Sequence, residues 1–403
     1  MKSTCFNRLG RALVAAILTV AAFEFLPDAR AFSIVAPLTD SQMQTMFGTN
    51  GTPRAIPRRT SIIFIQVDGL GYGDLSCYGQ TNFQTPNLDK LAAGGIRFTN
   101  YSANDTSSVS QAALMTGENS GQQHQRSHMD MLVEQDKINI AQILKNSGYH
   151  TGLIGEWYLG DENSSAVPWR EGFDEFAGYF NSKDAENFYA EYIYRYAPGE
   201  ILNPTNNARE DFIGREELYP NTQGKNEYIP DVLTKAALNF VKNNLPDQFN
   251  HFRPFFLLLD YKIPGDKIAV PSDAPFSEEP WPQPEKNKAA LVARIDGYVG
   301  QLQEQLQKIG MTNSTAIFFS SGSVPEKTAE IDPDFFHSNI STNDFRAPMI
   351  AHWTGTIPAG QVSGYKWSAQ DFMPTAAQIA FAQSPANIDG TSALPELLGR
   401  IRK

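Results

Sequence analysis

The chain has 403 residues, of which 41% are hydrophobic and 19% are charged, and its formal net charge is −11. This composition supplies ample apolar material for a buried core and indicates a soluble globular protein. The acidic balance argues against nucleic acid as the main partner, because phosphate binding requires clustered Lys and Arg side chains.

Residues 1–31 have the pattern of a secretory signal peptide. A basic start is followed by an apolar run over residues 12–26 and by Ala29-Arg30-Ala31, a small-x-small cleavage site. The apolar run is shorter than the ~20 residues that a membrane-spanning helix requires. We therefore expect cleavage after Ala31, no transmembrane segment after that cleavage, and export to the periplasm, the cell surface or the extracellular space.

Residues 32–60 form a lead segment before the main domain. A short helix is predicted at residues 39–47, with its Met and Phe side chains on one face. Residues 48–59 are rich in Gly, Pro and Arg, which is typical of a linker. The apolar face of the helix could dock on its own domain or on a partner. A single α/β domain is predicted for residues 61–403.

Apolar runs and amphipathic segments alternate along this domain. Strands are predicted at residues 61–67, 150–154, 255–259, 315–319 and 349–353. Helices are predicted at residues 140–145, 230–243 and 289–309. Residues 164–228, rich in Asn, Tyr, Glu and Pro, are predicted to form long loops over a pocket rim. The alternation is typical of a mostly parallel central sheet with helices on both faces, where ligands bind beyond the carboxyl ends of the strands.

Short motifs follow the predicted strands. They include Asp68-Gly69-Leu70-Gly71-Tyr72-Gly73-Asp74, Ala112-Ala113-Leu114-Met115-Thr116-Gly117 and Gly155-Glu156-Trp157-Tyr158-Leu159-Gly160. In this order they resemble the sulfatase family of the alkaline phosphatase superfamily. The resemblance implies the alkaline-phosphatase/sulfatase-like fold. Sulfatases usually continue into a smaller C-terminal subdomain, which we expect to be absent because the chain ends at Lys403.

The resemblance is incomplete at the positions where sulfatases bind calcium. The family has two adjacent Asp residues after the first strand and an Asp-Asn pair after a later strand. The matching residues here are Asp68 and Gly69, and Ser321 and Gly322. Calcium takes about six to eight oxygen ligands, several of them charged. We therefore expect no cofactor, and we expect Asp68 to cap a turn or to bind backbone in its loop.

The reactive positions differ as well. The family signature Cys (or Ser)-x-Pro-x-Arg, whose first residue is oxidised to formylglycine, matches Ser107, Val109 and Gln111. The other sulfate-binding positions of the family, all Lys or His, correspond to Glu156, Tyr158, Gly265 and His337. Glu156 thus places an anion where the family has a cation, and like charges repel strongly when they are buried.

These departures lead to competing hypotheses. We favour a catalytically inactive sulfatase-like protein, a pseudoenzyme that serves as a binding or assembly component, with an unknown protein or a second copy as its partner. The alternative is a metal-dependent sulfuric (or phosphoric) ester hydrolase with a rebuilt site that uses Ser107, and calcium is expected only in that case. A third hypothesis is a lectin-like binder of a neutral or basic glycan through Trp157, Tyr158 and an aromatic rim.

Overall fold

The apolar run after residue 60 forms the central strand of the protein, β1 (Ser61–Asp68), and all of its side chains are buried. The computed structural model describes residues 60–104, 106–118, 137–180, 182–205, 208–218, 227–244, 253–265, 267–323, 325, 335 and 346–400. All of these belong to one unit of the chain. The predicted signal peptide, the predicted helix and linker of the lead segment, and His337 lie outside the described residues.

The described strands form one eleven-stranded sheet. After β1 come β2 (Ile96–Ser102), β3 (His150–Glu156), β4 (Glu175–Tyr179), β5 (Tyr192–Leu202), β6 (Arg209–Glu217), β7 (Phe255–Lys262), β8 (Thr315–Ser320), β9 (Arg346–His352), β10 (Gln361–Ser363) and β11 (Trp367–Ser368). Their order is β10-β2-β9-β8-β1-β7-β3-β4-β5-β6, and β11 also pairs with β2. Strands β8, β1, β7, β3 and β4 are parallel, whereas β9, β5 and β6 pair antiparallel with their neighbours. The predicted α/β class with a mostly parallel central sheet is confirmed.

Helices cover both faces of the sheet. They are α1 (Pro86–Ala93), α2 (Ser107–Thr116), α3 (Ile140–Asn146), α4 (Ser182–Ala185), α5 (Ile229–Asn243), α6 (Gln283–Lys308), α7 (Phe372–Ile379) and α8 (Leu394–Leu397). Because strand side chains alternate, Ile62 and Phe64 pack with α2, α3 and α7, whereas Ile63 and Ile65 pack with α1, α5 and α6. Within the described ranges, no helix has the length and hydropathy needed to cross a membrane.

The prediction of long loops at residues 164–228 is wrong. This segment contains β4 and the antiparallel hairpin of β5 and β6, in which Tyr194 lies opposite Arg215. Aromatic residues at alternate positions, here Tyr192, Tyr194 and Tyr196, favour a strand. The Pro- and Asn-containing composition around them concealed this alternation.

A buried ion pair fixes the loop that follows β1. Asp74 accepts a hydrogen bond from the N–H of Gly71 at 2.8 Å, and its Oδ2 lies 3.1 Å from Nζ of Lys288 on α6. The Asp74 side chain is fully buried and that of Lys288 is 5% exposed. The pair therefore ties the loop, which begins directly after Asp68, to the helical layer.

Replacing Lys288 by Met should strongly destabilise the fold. The Asp74 carboxylate would stay buried without its cation, which should lower the free energy of unfolding by about 3–5 kcal/mol, measured by urea denaturation. The matched control is Lys308→Met, because the Lys308–Glu304 pair is 69% and 68% exposed and should contribute little. Equal effects of the two changes would show that the buried pair has no special role.

Candidate ligand site at the carboxyl ends of the strands

Polar side chains converge where β1, β7 and β3, three neighbouring strands, reach their carboxyl ends. The residues that meet there are Gln66, Asp68, Ser107, Gln111, Glu156, Tyr158, Asp260 and Lys262. Five of them, Asp68, Ser107, Gln111, Glu156 and Tyr158, were singled out by the sequence. The loop after β8 closes the group from the side, since β8 is the other neighbour of β1.

The centre of this group is the amide of Gln66. Its Nε2 donates hydrogen bonds to Oδ1 of Asp68 and to Oδ2 of Asp260, both at 3.1 Å. The hydroxyl of Tyr158 donates to the other oxygen of Asp68. Both carboxyl groups are almost completely buried. The expectation that Asp68 would cap a turn or bind loop backbone with its side chain is therefore wrong, because side chains from the sheet and from the loop after β3 occupy both of its oxygens.

Gln111 links α2 to the loop after β3. Its Nε2 donates to the carbonyl oxygen of Glu156 at 2.9 Å, and its Oε1 accepts from the N–H of Tyr158 at 2.8 Å. The side chain is buried, because the residues from Val109 to Thr116 are all in the core. Where the family resemblance places a sulfate-binding Arg, this chain thus has an amide that is bound to its own backbone.

Lys262, which the sequence analysis missed, adds the only cation among the eight residues of this group. Its Nζ lies 3.9 Å from Glu156 and 3.5 Å from Glu186. Burial lowers the pKa of Lys262, but the charges of Glu156, Asp68 and Glu186 outweigh burial and raise it. Lys262 is therefore held in its charged form by the acids around it.

The two acids at the centre are hard to ionise. Burial raises the pKa of Asp260 well above its ordinary value, and the charges of Asp68 and Glu156 raise it further, against the opposing charge of Lys262. Burial also raises the pKa of Asp68, although a hydrogen bond from Tyr158 works against this. Burial and the Asp68 charge raise the pKa of Tyr158 in turn, so its hydroxyl keeps its proton.

A small cavity of about 20 Å³ lies beside this group. Its polar lining comes from Glu156, Tyr179, Asp260 and Lys262, and its apolar lining includes Phe188, Ile229 and Leu233. Oδ1 of Asp260 and the hydroxyl of Tyr179 are buried without a hydrogen-bond partner among the described residues. A cavity of this volume has room for about one water molecule, which these atoms could bind.

Ser107 lies in the first turn of α2, at the mouth of the group. Its hydroxyl is 3.1 Å from that of Ser323, which accepts a hydrogen bond from the N–H of Gly69, also at 3.1 Å. The Ser107 hydroxyl also contacts Asp68, where its hydrogen bond works against the raised carboxyl pKa. Ser107 is half-buried, so it is more accessible than the acids behind it.

Two of the family's calcium-ligand positions have no space for a side chain. Gly69 has φ +78°, and a Cβ there would overlap the carbonyl oxygen of Ile263. A Cβ on Gly322 would overlap Oδ1 of Asp68 and Nε2 of Gln66. An Asp at the first position and an Asn at the second would therefore displace the backbone or the central hydrogen bonds.

The remaining positions do not supply the missing oxygens. The hydroxyl oxygen of Ser321 lies 2.8 Å from the carbonyl oxygen of Val67 and 2.6 Å from that of Ser323, so its one proton is directed to the backbone. Gly265 follows β7 and has no side chain, and His337 is not described. Nowhere in the described parts of the chain do three or more His, Cys, Asp or Glu side chains lie close enough to hold a metal. The described residues do not fit the calcium ion that the family implies.

Three members of the group escaped the sequence analysis, namely Gln66, Asp260 and Lys262. Each stands in or at the end of a strand whose other residues are mainly apolar. A polar residue in a buried parallel strand needs a partner, and that was the available signal. The contact between them could not be predicted from the sequence, because it depends on the register of β1 against β7, in which Gln66 lies opposite Asp260.

The fold and the order of the motifs together point to one protein family. Residues 60–381 match the sulfatase family model, and the chain belongs to the sulfatase family. N-acetylgalactosamine-6-sulfatase of Canis lupus familiaris is 30% identical over 369 residues, covering 85% of this chain and 67% of that protein. Arylsulfatase A of Homo sapiens is 29% identical over 364 residues, covering 86% of this chain and 69% of that protein. The chain thus spans about two thirds of the length of these relatives.

A solved structure agrees with this assignment. The crystal structure of Ps i-CgsB in complex with k-i-k-neocarrahexaose superposes with a TM-score of 0.67 and 28% identity. The match covers 85% of this chain and 77% of that one. The expected sulfatase-like fold of the alkaline phosphatase superfamily is therefore confirmed.

Adding one methyl group at Gly322 should disrupt the centre of the site. Gly322→Ala should lower the free energy of unfolding by about 2–3 kcal/mol, because Asp68 and Gln66 must move apart. The matched control is Gly297→Ala in α6, where a Cβ meets nothing within 4 Å. That change should stabilise the protein by about 0.5–1 kcal/mol, since Ala favours a helix over Gly. Urea denaturation of both variants distinguishes the two signs, and a stabilised Gly322→Ala variant would contradict the described packing.

Asp260→Asn should stabilise the protein, and the gain should grow with pH. Because the folded state raises the pKa of Asp260, it binds the proton more tightly than the unfolded chain, whose carboxyl has a pKa of about 3.9. The destabilising effect of Asp260 is therefore absent below about pH 4 and increases as the pH rises above that value. At pH 8 we expect a gain of about 1–3 kcal/mol by urea denaturation.

Asp174→Asn is the control of opposite sign. Burial works against ionisation of Asp174, but hydrogen bonds from Lys145 and from the Thr151 backbone outweigh burial and lower its pKa. Ionised Asp174 therefore stabilises the fold above about pH 4, and this stabilisation is lost as the pH falls through the lowered folded-state pKa. The Asn variant should be less stable at pH 7 and indistinguishable from the parent in strong acid. A pH-independent effect in both variants would refute the electrostatic account.

Proposed function

We propose that this protein is an exported sulfatase-family member that does not catalyse sulfate-ester hydrolysis and acts as a binding or assembly component. The observation that carries the proposal is the closure of the calcium site. The space that a side chain at Gly69 would need is taken by the Ile263 carbonyl. The space at Gly322 is taken by the hydrogen-bonded pair of Gln66 and Asp68.

The charges of the site support the same proposal. A sulfate ester brings a negative charge, and sulfatase chemistry requires cations to receive it. Here the buried acids Asp68, Glu156 and Asp260 face Lys262, whose charge is already directed to Glu156 and Glu186. In a low-dielectric interior, any of these acids that is ionised repels an incoming anion.

Export is supported by the sequence of residues 1–31 and by the family. The predicted signal peptide would direct the chain to the periplasm, the cell surface or the extracellular space. With its sulfatase positions filled by internal contacts, the protein needs no resident metal in this proposal. Its role then lies in what it binds, either another protein or a second copy.

A second candidate, an ester hydrolase using Ser107, is favoured by one contact. The Ser107 hydroxyl reaches the Asp68 carboxyl, whose pKa is raised by burial, and a carboxylate of raised pKa can act as a base toward a serine nucleophile. Ser107 also lies at the amino end of α2, where helix N–H groups stabilise negative charge. A sulfuric or phosphoric ester remains the substrate class of this alternative.

The glycan hypothesis loses Trp157, one of the residues on which it was built. Trp157 is fully buried, and its indole N–H donates to the carbonyl oxygen of Ala166 at 2.7 Å. The Tyr158 hydroxyl is bound to Asp68. The Trp157 ring is therefore unavailable for stacking on a sugar, whereas the Tyr158 ring is half-buried.

The test is elemental analysis of the natively purified protein together with its intact mass. We expect no stoichiometric calcium, a mature chain that begins at Phe32, and an unmodified Ser107, since oxidation to formylglycine would lower the mass by one H₂. A sulfatase with an intact signature, purified in parallel, controls for the modifying machinery and for metal loss. One calcium ion per chain together with a modified Ser107 would refute the proposal.

Hydrolysis assays separate the two candidates. The purified protein should release no product from 4-nitrophenyl sulfate or 4-nitrophenyl phosphate above the rate of its Ser107→Ala variant. Turnover that Ser107→Ala abolishes would instead establish the hydrolase. Turnover that persists in the variant would indicate a contaminating enzyme.

A further inference from the structure

The strand β6 forms one end of the sheet, and its outer edge carries no partner strand among the described residues. Among the described strands it pairs with β5 alone, from Tyr192 opposite Glu217 to Leu202 opposite Arg209. Most of its side chains are exposed. A free strand edge presents unpaired N–H and C=O groups and is a template for pairing with another strand.

The hairpin of β5 and β6 also exposes apolar side chains. Four large hydrophobic residues of the described chain are clearly exposed: Ile201, Leu202, Ile213 and Val362. Three of these four lie on this one hairpin, and Ile213, at 56% exposed, is the middle residue of β6. Leu202, which lies opposite Arg209, shares one face of the hairpin with Ile213, and exposed apolar residues on one face indicate a contact surface.

On one face of β6, charges of opposite sign stand at equal distances on either side of Ile213. Along one face of the strand the residues are Arg209, Asp211, Ile213, Arg215 and Glu217. If a second β6 pairs antiparallel with Ile213 opposite itself, Arg209 faces Glu217 and Asp211 faces Arg215. Every charged residue on this face then meets its opposite, and opposite charges across a strand pair are stabilising.

The register centred on Ile213 is favoured over the neighbouring registers of the same strand pair. A two-fold axis perpendicular to the sheet keeps each face of the strand on its own side, so only shifts that keep the alternation are allowed. Moving one strand by two residues in one direction relative to the other places Arg209 opposite Arg215. Moving it by two residues in the other direction places Asp211 opposite Glu217. Charge repulsion therefore disfavours both alternatives and leaves the register centred on Ile213.

The opposite face of β6 accommodates the same pairing. Phe212 would lie over Gly214 of the second copy, where the absence of a side chain leaves room for the ring. Glu210 would face Glu216, but Glu216 already has a cation, since its Oε2 is 2.5 Å from Nε of Arg195. Edge charges of a single sign would prevent pairing, whereas this mixed pattern permits it.

We propose that two copies of this chain associate through their β6 strands, antiparallel and centred on Ile213, to form one continuous sheet. The occupant of the free edge is thus a second copy rather than a different protein. The association is independent of whether the site near Asp68 binds a ligand or hydrolyses an ester. A nine-residue strand pair is a small interface, so the dissociation constant should be on the order of 1–100 µM.

A charge-swap experiment tests this pairing. Sedimentation equilibrium of the mature chain, from about 1 to 500 µM, should show a monomer–dimer equilibrium in this affinity range. Arg209→Glu and Glu217→Arg should each weaken the dimer at least about tenfold, because each creates two like-charge pairs per dimer. The double variant should restore the parental affinity. Lys308→Glu, at an exposed position of α6, controls for a general effect of charge.

Restoration would be decisive because Arg209 and Glu217 stand at opposite ends of β6, about 27 Å apart, and do not meet within one chain. Circular dichroism of each variant establishes that the single changes leave the fold intact. A monomer at every concentration would overturn the proposal. So would a dimer that ignores the single changes, or a double variant without recovery, since either result would place the contact elsewhere.

Discussion

The hydrogen bonds from one amide group, that of Gln66, hold the centre of the site together. Asp68 and Asp260 stand on adjacent parallel strands and would repel each other if both were ionised. One amide nitrogen, 3.1 Å from each, lets them share a donor, while burial favours the neutral form of at least one acid. The space taken by this arrangement is the space that a side chain at Gly322 would need.

The poor fit of the described residues to a calcium ion is therefore a property of several residues together. An Asp at position 69 alone would meet the Ile263 carbonyl, and an Asn at position 322 alone would meet Gln66 and Asp68. Gln111 is bound on both sides to the loop after β3, so an Arg there would also break two backbone contacts. Each family residue at these positions is thus opposed by contacts that the neighbouring side chains and backbone make in this chain. The site is a differently packed interior, in which most of the polar groups form hydrogen bonds with one another.

Much of the fold and part of the site could be predicted from the sequence. The apolar runs at 61–67 and 255–259 predicted the central strands, because a parallel strand that is buried on both faces has a nearly continuous apolar sequence. The family motifs singled out Ser107, Gln111 and Glu156, which the structure brings together beside the carboxyl ends of β1, β7 and β3. Lys262 and Asp260 could not be assigned, because their meaning depends on strand register and on burial. The hairpin of β5 and β6 was missed because its alternation of Tyr residues is surrounded by polar, loop-like composition.

The arrangement of the sheet connects the filled site to the free edge. Only β4 and β5 separate β3, which ends in Glu156, from the edge strand β6. At about 4.8 Å per strand, the edge is about 14 Å from β3. A site whose polar groups bind one another offers little surface to a ligand, whereas the edge offers unpaired backbone, exposed Ile213 and charges of both signs. The physical capacity for specific contact is therefore greater at the edge of this sheet than at the carboxyl ends of its central strands.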